Sequence, residues 1–427
     1  MVHPLRTRVE VMPGRALQSR ARALTGGALF ATSAALIAPT VSAQTTLGAM
    51  SISNEVEAAL VRVLDSLRDA GIKPALKEID ATLEKNPNFR LGHLIKGDLL
   101  MAKAGVPTAF GPSGLIALRS EPESQTSLRE EARVRLTRHL DGPPPGSLPT
   151  ALLQLAPHQR HALLVDSAQS RIYVFENADG MPQPVADFYI SGGKQGFEKS
   201  KEGDQRTPLG VYVVTSSMGK EKLSDFYGPG AFPLNYPNEW DKRLGKNGSG
   251  IWIHGTPSTT YSRPPRASDG CVVLTNDDFQ RFSRFVAPGS TPVVIVPAVT
   301  WKTPETWAAE RGRFYDALSA WQRDWESLDM DRYLSHYSPR FETDGKDKAA
   351  WSEAKRRVNA AKAWVKVGVS NLSIYEYAVR SGSTSMMMVT FDQDYKSSNN
   401  ATRMKKRQYW QLESGQWRIV YEGVATS

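Results

Sequence analysis

Residues 141–146 read Asp141-Gly142-Pro143-Pro144-Pro145-Gly146, and no other stretch constrains the fold as strongly. Three successive prolines offer no amide donor to a helix or a central strand, and the flanking glycines favour a turn. Before this run the apolar residues recur at helical spacing; after it they fall into short strand-like groups. The run therefore stops a helix and marks a domain boundary. A length of 427 residues agrees, since two or three domains are expected at that size.

The first 43 residues have a separate character. Arg6, Arg8, Arg15, Arg20 and Arg22 precede an apolar stretch over 24–37, which leads to Val41-Ser42-Ala43. A basic segment, a short apolar core and a small-residue cleavage site make a secretory signal peptide, cut after Ala43. Its long basic side leaves two candidate start codons, Met1 and Met12. The apolar stretch is shorter than the ~20 residues that cross a bilayer, and no other segment approaches that length. Ala21 between Arg20 and Arg22 argues against a twin-arginine signal. No cysteine follows the cut directly, which excludes a lipoprotein anchor. The expectation is an exported, periplasmic protein, soluble after cleavage and not membrane-spanning. The formal charge of +9 includes +4 from the leader, so the mature chain carries about +5. Such a surplus suits a solvated surface and is compatible with an anionic polymer. No stripe of Lys and Arg with interleaved aromatics points to nucleic acid.

Residues 44–157 read as a helical region with a linker. Val56, Leu60, Val63, Leu64 and Leu67 share a helical face. Ala75, Ile79, Asn86-Pro87, Leu91, Leu94, Leu99 and Leu100 suggest one tetratricopeptide-like hairpin, too few units for a solenoid. A further helix is expected over 128–140. Residues 158–299 read as mainly β, with strands near 162–165, 171–175, 185–190, 210–215, 250–254 and 291–296. Residues 304–427 open with a helix whose Trp307, Phe314, Leu318, Trp321 and Trp325 lie on one side. Aromatics at that spacing pack a core more often than they line a ligand cage. A second helix over 346–364 and strands at 372–379, 385–395, 403–412 and 417–421 complete an α+β cone.

Cys271 is the only cysteine in the chain. In an exported protein a lone thiol is idle, paired with another chain, or chemically employed. Its surroundings favour employment. His254 ends the strand-like Gly250-Ile251-Trp252-Ile253-His254, and Ser268-Asp269-Gly270-Cys271 leads into Val272-Val273-Leu274. Two strand ends can bring an imidazole to a thiol, where it either accepts the proton or sits beside a thiolate as imidazolium. Gly270 permits close backbone approach, so amides near Gly270 and Cys271 are candidates for holding an oxyanion. Taken singly, a buried cysteine or a histidine on an apolar strand is more often structural; the combination reverses that weighting.

These residues resemble the catalytic signature of the L,D-transpeptidases, the YkuD domain family: His-Gly, a spacer, then Ser/Thr-x-Gly-Cys and an apolar residue. The upstream Gly203-Asp204-Gln205-Arg206-Thr207-Pro208-Leu209-Gly210-Val211-Tyr212 is similar to a second family block. The resemblance covers 158–299. It implies Cys271 as nucleophile, His254 as proton acceptor and donor, and Ser268, Asp269 and Gly270 in the active-site loop. It also implies peptidoglycan stem peptides as substrate, a thioester at the third residue, and no metal or other cofactor. Trp252 and Arg266 are candidate substrate-binding residues, with Arg263 an alternative to Arg266 for a carboxylate contact. Asp269 stands where many members carry histidine, and Val273 where many carry arginine or asparagine. These departures weaken transpeptidation more than thioester formation.

The last section resembles nuclear-transport-factor-2-like domains through its first helix, Asp331-Arg332-Tyr333-Leu334-Ser335 and Trp417-Arg418-Ile419-Val420. Helical region, YkuD-type domain and such a terminal domain together resemble a subgroup that contains cell-shape-determining L,D-carboxypeptidases. The expected fold is thus multidomain: an α-helical N-terminal region, a mainly-β catalytic domain and an α+β cone. The expected function is a cysteine acyl-transfer enzyme, an L,D-transpeptidase and/or L,D-carboxypeptidase. The alternatives are a catalytically silent wall-binding scaffold and a hydrolase that releases wall-linked lipoprotein. Two accessory domains of types that often self-associate make a homodimer a reasonable expectation.

Overall fold

The computed structural model describes residues 55–106, 123–140, 142–343, 345–377 and 385–425, and among these described residues four helices build the N-terminal part. The signal peptide, both candidate start codons and Asp141 lie outside the described residues. Helices α1 (Glu55–Asp69), α2 (Ile72–Lys85), α3 (Arg90–Lys103) and α4 (Glu123–Leu140) close around Val56, Leu60, Val63, Ala75, Ile79, Phe89, Leu91 and Leu99. The α2–α3 pair turns at Asn86-Pro87. Leu100 does not join this core: it is 46% exposed. One position past Leu99, it is carried about 100° round the helix.

The middle part holds two main sheets. A five-stranded sheet has the order Met181–Tyr189, Arg171–Ala178, His161–Asp166, Pro292–Val296 and Gly210–Val213. Only the His161–Asp166 and Pro292–Val296 strands run parallel. Alternation along these strands splits their residues between two cores. Leu163, Val165, Val293 and Ile295 face one side; Ala162, Leu164, Val294 and Val296 face the other. Both faces are covered, so these strands read as unbroken apolar runs rather than alternating ones. On the first side lies a four-stranded sheet, ordered Val272–Val273, Trp252–His254, Gly230–Pro233 and Met218–Gly219. Helix Asn276–Ser283, capped by Thr275, adds Phe279 and Phe282 to the same core.

The C-terminal part covers the other face. Its helix Pro304–Glu326 starts with Thr303 as cap and proline in the first turn. Trp307, Phe314, Leu318, Trp321 and Trp325 are all buried against a long antiparallel sheet. That sheet contains one strand the sequence reading places in the linker. Its order is Leu152–Gln154, Val365–Tyr377, Met386–Ser397, Asn400–Glu413 and Gln416–Val424. The linker segment is fixed further by the indole N–H of Trp307, which donates to the carbonyls of Pro149 and Leu152 at 3.1 Å each. Leu148 and Leu153 enter the C-terminal core.

Buried ion pairs tie the helices to the middle part. Arg171 donates to Glu57 of α1 at 2.7 Å and also pairs with Asp187. Arg135 of α4 reaches the same Glu57 oxygen at 2.8 Å, and Arg138 reaches Asp187 at 2.8 Å. Burial pushes the Asp187 carboxyl up, but Arg171 and Arg138 more than offset this and hold it below its ordinary value. Buried charges survive only when paired and hydrogen-bonded.

Candidate active site

The strand Trp252–His254 runs parallel to Val272–Val273, with Ile253 opposite Val272 and His254 opposite Val273. Extending that register by one residue sets Cys271 beside Trp252. Side chains alternate, and residues paired in register point the same way. Ile253 and Val272 enter the core, so Cys271 and His254 share the opposite face. With strands ~4.8 Å apart and a rise of ~3.3 Å per residue, their Cα atoms stand roughly 8 Å apart.

His254 is only 1% exposed. Its Nδ1 lies 2.6 Å from the Gly255 carbonyl oxygen. A carbonyl only accepts, so Nδ1 carries the proton and Nε2 keeps a lone pair. The rings of Tyr227 and Phe226 pack on the imidazole at 5.0 and 5.9 Å, and Tyr227 also packs on Trp252 at 4.9 Å. Burial holds the imidazole pKa down to about 4; the Gly255 carbonyl opposes this and the Arg263 charge adds to it. Near neutral pH the ring is therefore an uncharged proton acceptor.

Cys271 is a free, partly exposed thiol whose Sγ donates to the Gly250 carbonyl at 3.4 Å. Burial pushes this thiol above its ordinary value. The Trp252 N–H and the Arg263 charge work against that, Asp269 works with it, and Lys199 works against it. Of the two states open at the sequence level, the geometry favours neutral thiol beside neutral imidazole over a resting ion pair.

Ser268 organises the loop before the cysteine. Its hydroxyl donates to the Cys271 carbonyl at 2.6 Å and accepts the Gly270 N–H at 3.1 Å. The Gly270 amide is therefore occupied inside the loop, whereas no backbone partner is found for the Cys271 N–H among the described residues, which makes it the candidate for holding an oxyanion. Gly270 has φ +127°, and a Cβ there would stand 2.8 Å from the Arg206 carbonyl oxygen. Only glycine suits both conditions. Asp269 is held by side chains from outside the loop. It is exposed and accepts from Lys194 at 2.8 Å and Gln205 at 3.0 Å, and Lys194 keeps its carboxyl below the usual range. An ionised carboxylate has no proton to donate to an oxyanion.

The two arginines separate clearly. Arg266 is exposed and its charge acts on Glu130 of α4. Arg263 stacks over the Phe226 ring at 4.8 Å, and that ring lies against His254. The sequence reading preferred Arg266 and missed Phe226 and Tyr227. Two adjacent aromatics in the loop before Gly228-Pro229-Gly230, one of them 46% exposed, were the available signal.

The upstream block serves architecture. Thr207 Oγ1 accepts the Gly193 N–H at 3.0 Å, and Tyr212 donates to Asp241 at 3.0 Å. Gly210 has φ +142°, and a Cβ there would lie 2.7 Å from the hydroxyl of Tyr377 in the C-terminal part. A wide cleft of 910 Å³ lies largely in that C-terminal part, with Arg313, His336, Trp417 and Arg418 on its walls. Neither Cys271 nor His254 lines it, so size does not locate the thiol–imidazole pair. Among the described residues no group of three or more His, Cys, Asp or Glu is placed to hold a metal ion, and no helix is long and apolar enough to cross a membrane.

Comparison with known proteins gives a consistent result. Residues 160–295 match the L,D-transpeptidase catalytic domain family, and 313–423 match the Cds6 C-terminal NTF2-like domain family. Bd1075 of Bdellovibrio bacteriovorus is a similar solved structure: 27% identical, TM-score 0.57, covering 66% of this chain and 100% of that one. The helical cell shape determining protein Pgp2 from Campylobacter jejuni is 26% identical, TM-score 0.54, covering 64% of this chain and 95% of its own. No curated protein matches the sequence. The chain thus contains an L,D-transpeptidase (YkuD) catalytic domain, which holds its single cysteine, and an NTF2-like domain at its C-terminal end.

Proposed function

We propose that this is an exported, periplasmic cysteine enzyme that trims peptidoglycan stem peptides as an L,D-carboxypeptidase, with Cys271 as nucleophile and His254 as general base and acid. The observation that carries the reading is the shared face of the two residues at adjacent parallel strands, with an imidazole held neutral and its Nε2 able to take a proton.

The thiol sulfur attacks the carbonyl carbon of the third residue while Nε2 accepts the thiol proton. The carbonyl oxygen becomes an oxyanion, stabilised by the Cys271 N–H. Collapse breaks the amide bond; the departing D-alanine amine takes the proton from His254, and a thioester remains. Water then attacks the thioester and gives its proton to His254. The tripeptide leaves as a carboxylate and the sulfur recovers its proton. Arg263, close to the same wall, suits the terminal carboxylate of the substrate better than Arg266 does.

Hydrolysis is favoured over transpeptidation by Val273, which is apolar and buried where a polar acceptor contact is common. One of the similar proteins is described as a cell-shape determinant, which fits wall trimming. The test is incubation with purified disaccharide-tetrapeptide followed by mass spectrometry. Tripeptide is expected; dimers lacking one D-alanine would instead assign transpeptidation, and no new species would favour the silent scaffold.

A further inference from the structure

We propose that the N-terminal helices are a positioning device for the catalytic loop: Glu131 of α4 holds Ser262, and so keeps Arg263 on the Phe226–His254 wall. This rests on Cys271 being the nucleophile. Three consecutive residues of the loop are gripped, two from the helical side directly and the third through a strand residue that α4 covers. The Tyr261 ring packs edge-on against Phe89, which directly precedes α3, at 5.1 Å. The Ser262 hydroxyl donates to Glu131 Oε1 at 2.7 Å. The Arg263 carbonyl accepts from the Tyr189 hydroxyl at 2.9 Å, and the Tyr189 ring lies 3.7 Å beneath the Arg135 guanidinium of α4.

Glu131 is wholly buried, an unusual place for a carboxylate. Its contacts explain its position. Arg135 donates to the same Oε1 at 3.0 Å and at its other end to Glu57 of α1. One buried chain therefore runs from α1 through α4 to the loop. From there the Arg263 side chain reaches Phe226 at 4.8 Å, and Phe226 reaches His254. A simple structural bridge would end at the backbone. This one ends at a cation whose charge acts on both reacting groups. The grip also continues on the catalytic side, where Ser191 donates to the Pro264 carbonyl at 2.6 Å and Gly192 to that of Pro265 at 2.8 Å.

The single cysteine makes the test direct. Iodoacetamide alkylation of the full mature chain reports one thiol, and its pH dependence reports the charges that act on it: Arg263, Asp269 and Lys199. Arg263→Gln is expected to slow alkylation at pH 8 by about threefold or more, since a nearby cation favours the thiolate. Ser262→Ala should move the pH midpoint upward in the same direction, and Ser262→Thr, which keeps the hydroxyl, should restore the wild-type profile even if the alanine variant is less heat-stable. A Ser262→Ala profile equal to wild type, with Arg263→Gln slowed, overturns the proposal; so does an Arg263→Gln profile that does not move. Wild-type protein that alkylates in this pattern but leaves tetrapeptide uncut would sink the enzymatic reading instead.

Discussion

Turnover should persist well below the pH at which an ordinary histidine enzyme stops. His254 is buried among aromatic rings with its Nδ1 on a carbonyl, and its pKa is held at about 4. From an ordinary value near 6.5, that lowering is worth roughly 3 kcal/mol against the imidazolium. At pH 5.5 about 97% of such a ring is neutral, against about 9% for an unperturbed one. The ratio kcat/KM for tetrapeptide trimming, followed by chromatography from pH 3.5 to 8, should thus be nearly unchanged between 7 and 5.5 and fall with a midpoint near 4. An acid limb centred near 6.5, with about tenfold loss by pH 5.5, would refute the buried-base geometry. Folding follows the same proton. The folded pKa lies below the unfolded one, so the unfolded chain binds more protons between them. The stability from keeping this ring neutral is complete above about 6.5 and is lost as pH falls towards about 4.

Other substitutions probe separate parts. His254→Ala should lower turnover by about 10²–10⁴-fold, because the thiol proton then has no acceptor, with little change in the circular dichroism spectrum. Gly270→Ala forces a side chain against the Arg206 carbonyl at a left-handed φ; the shift of the Cys271 N–H should reduce kcat by about 10²-fold or more, measured on the same substrate. Arg171→Met removes the shared partner of Glu57 and Asp187 and should cost about 3–5 kcal/mol in denaturant unfolding. An unchanged unfolding midpoint would show that the remaining partners, Arg135 and Arg138 among them, satisfy those carboxylates.

Local periodicity made much of this molecule legible. The tryptophan face of helix Pro304–Glu326 was readable because one stripe at helical spacing needs no knowledge of its partner. The thiol and imidazole were readable because each sits at the end of a short apolar strand beside a glycine. What escaped depends on distant partners. Leu152–Gln154 carries no alternation and becomes a strand only because the edge of Val365–Tyr377 receives it. Glu57 and Glu131 look like ordinary surface charges of helices, and their burial is made possible by Arg171, 114 residues on from Glu57, and by Arg135. Arg263 and Arg266 flank the same prolines and differ only in which way the anchored loop turns each of them. Leu100 shows the converse error: an apolar residue assigned to a stripe that lies on the exposed side.

The covalent intermediate is the most direct test of the central claim. Mature protein mixed with disaccharide-tetrapeptide, quenched in acid and measured as intact mass, should gain the mass of the muropeptide less D-alanine, on Cys271 alone and removable by hydroxylamine. Cys271→Ala should show no such adduct and no tripeptide while keeping its fold. Tripeptide released by the Cys271→Ala protein, or an adduct on any other residue, would contradict the account.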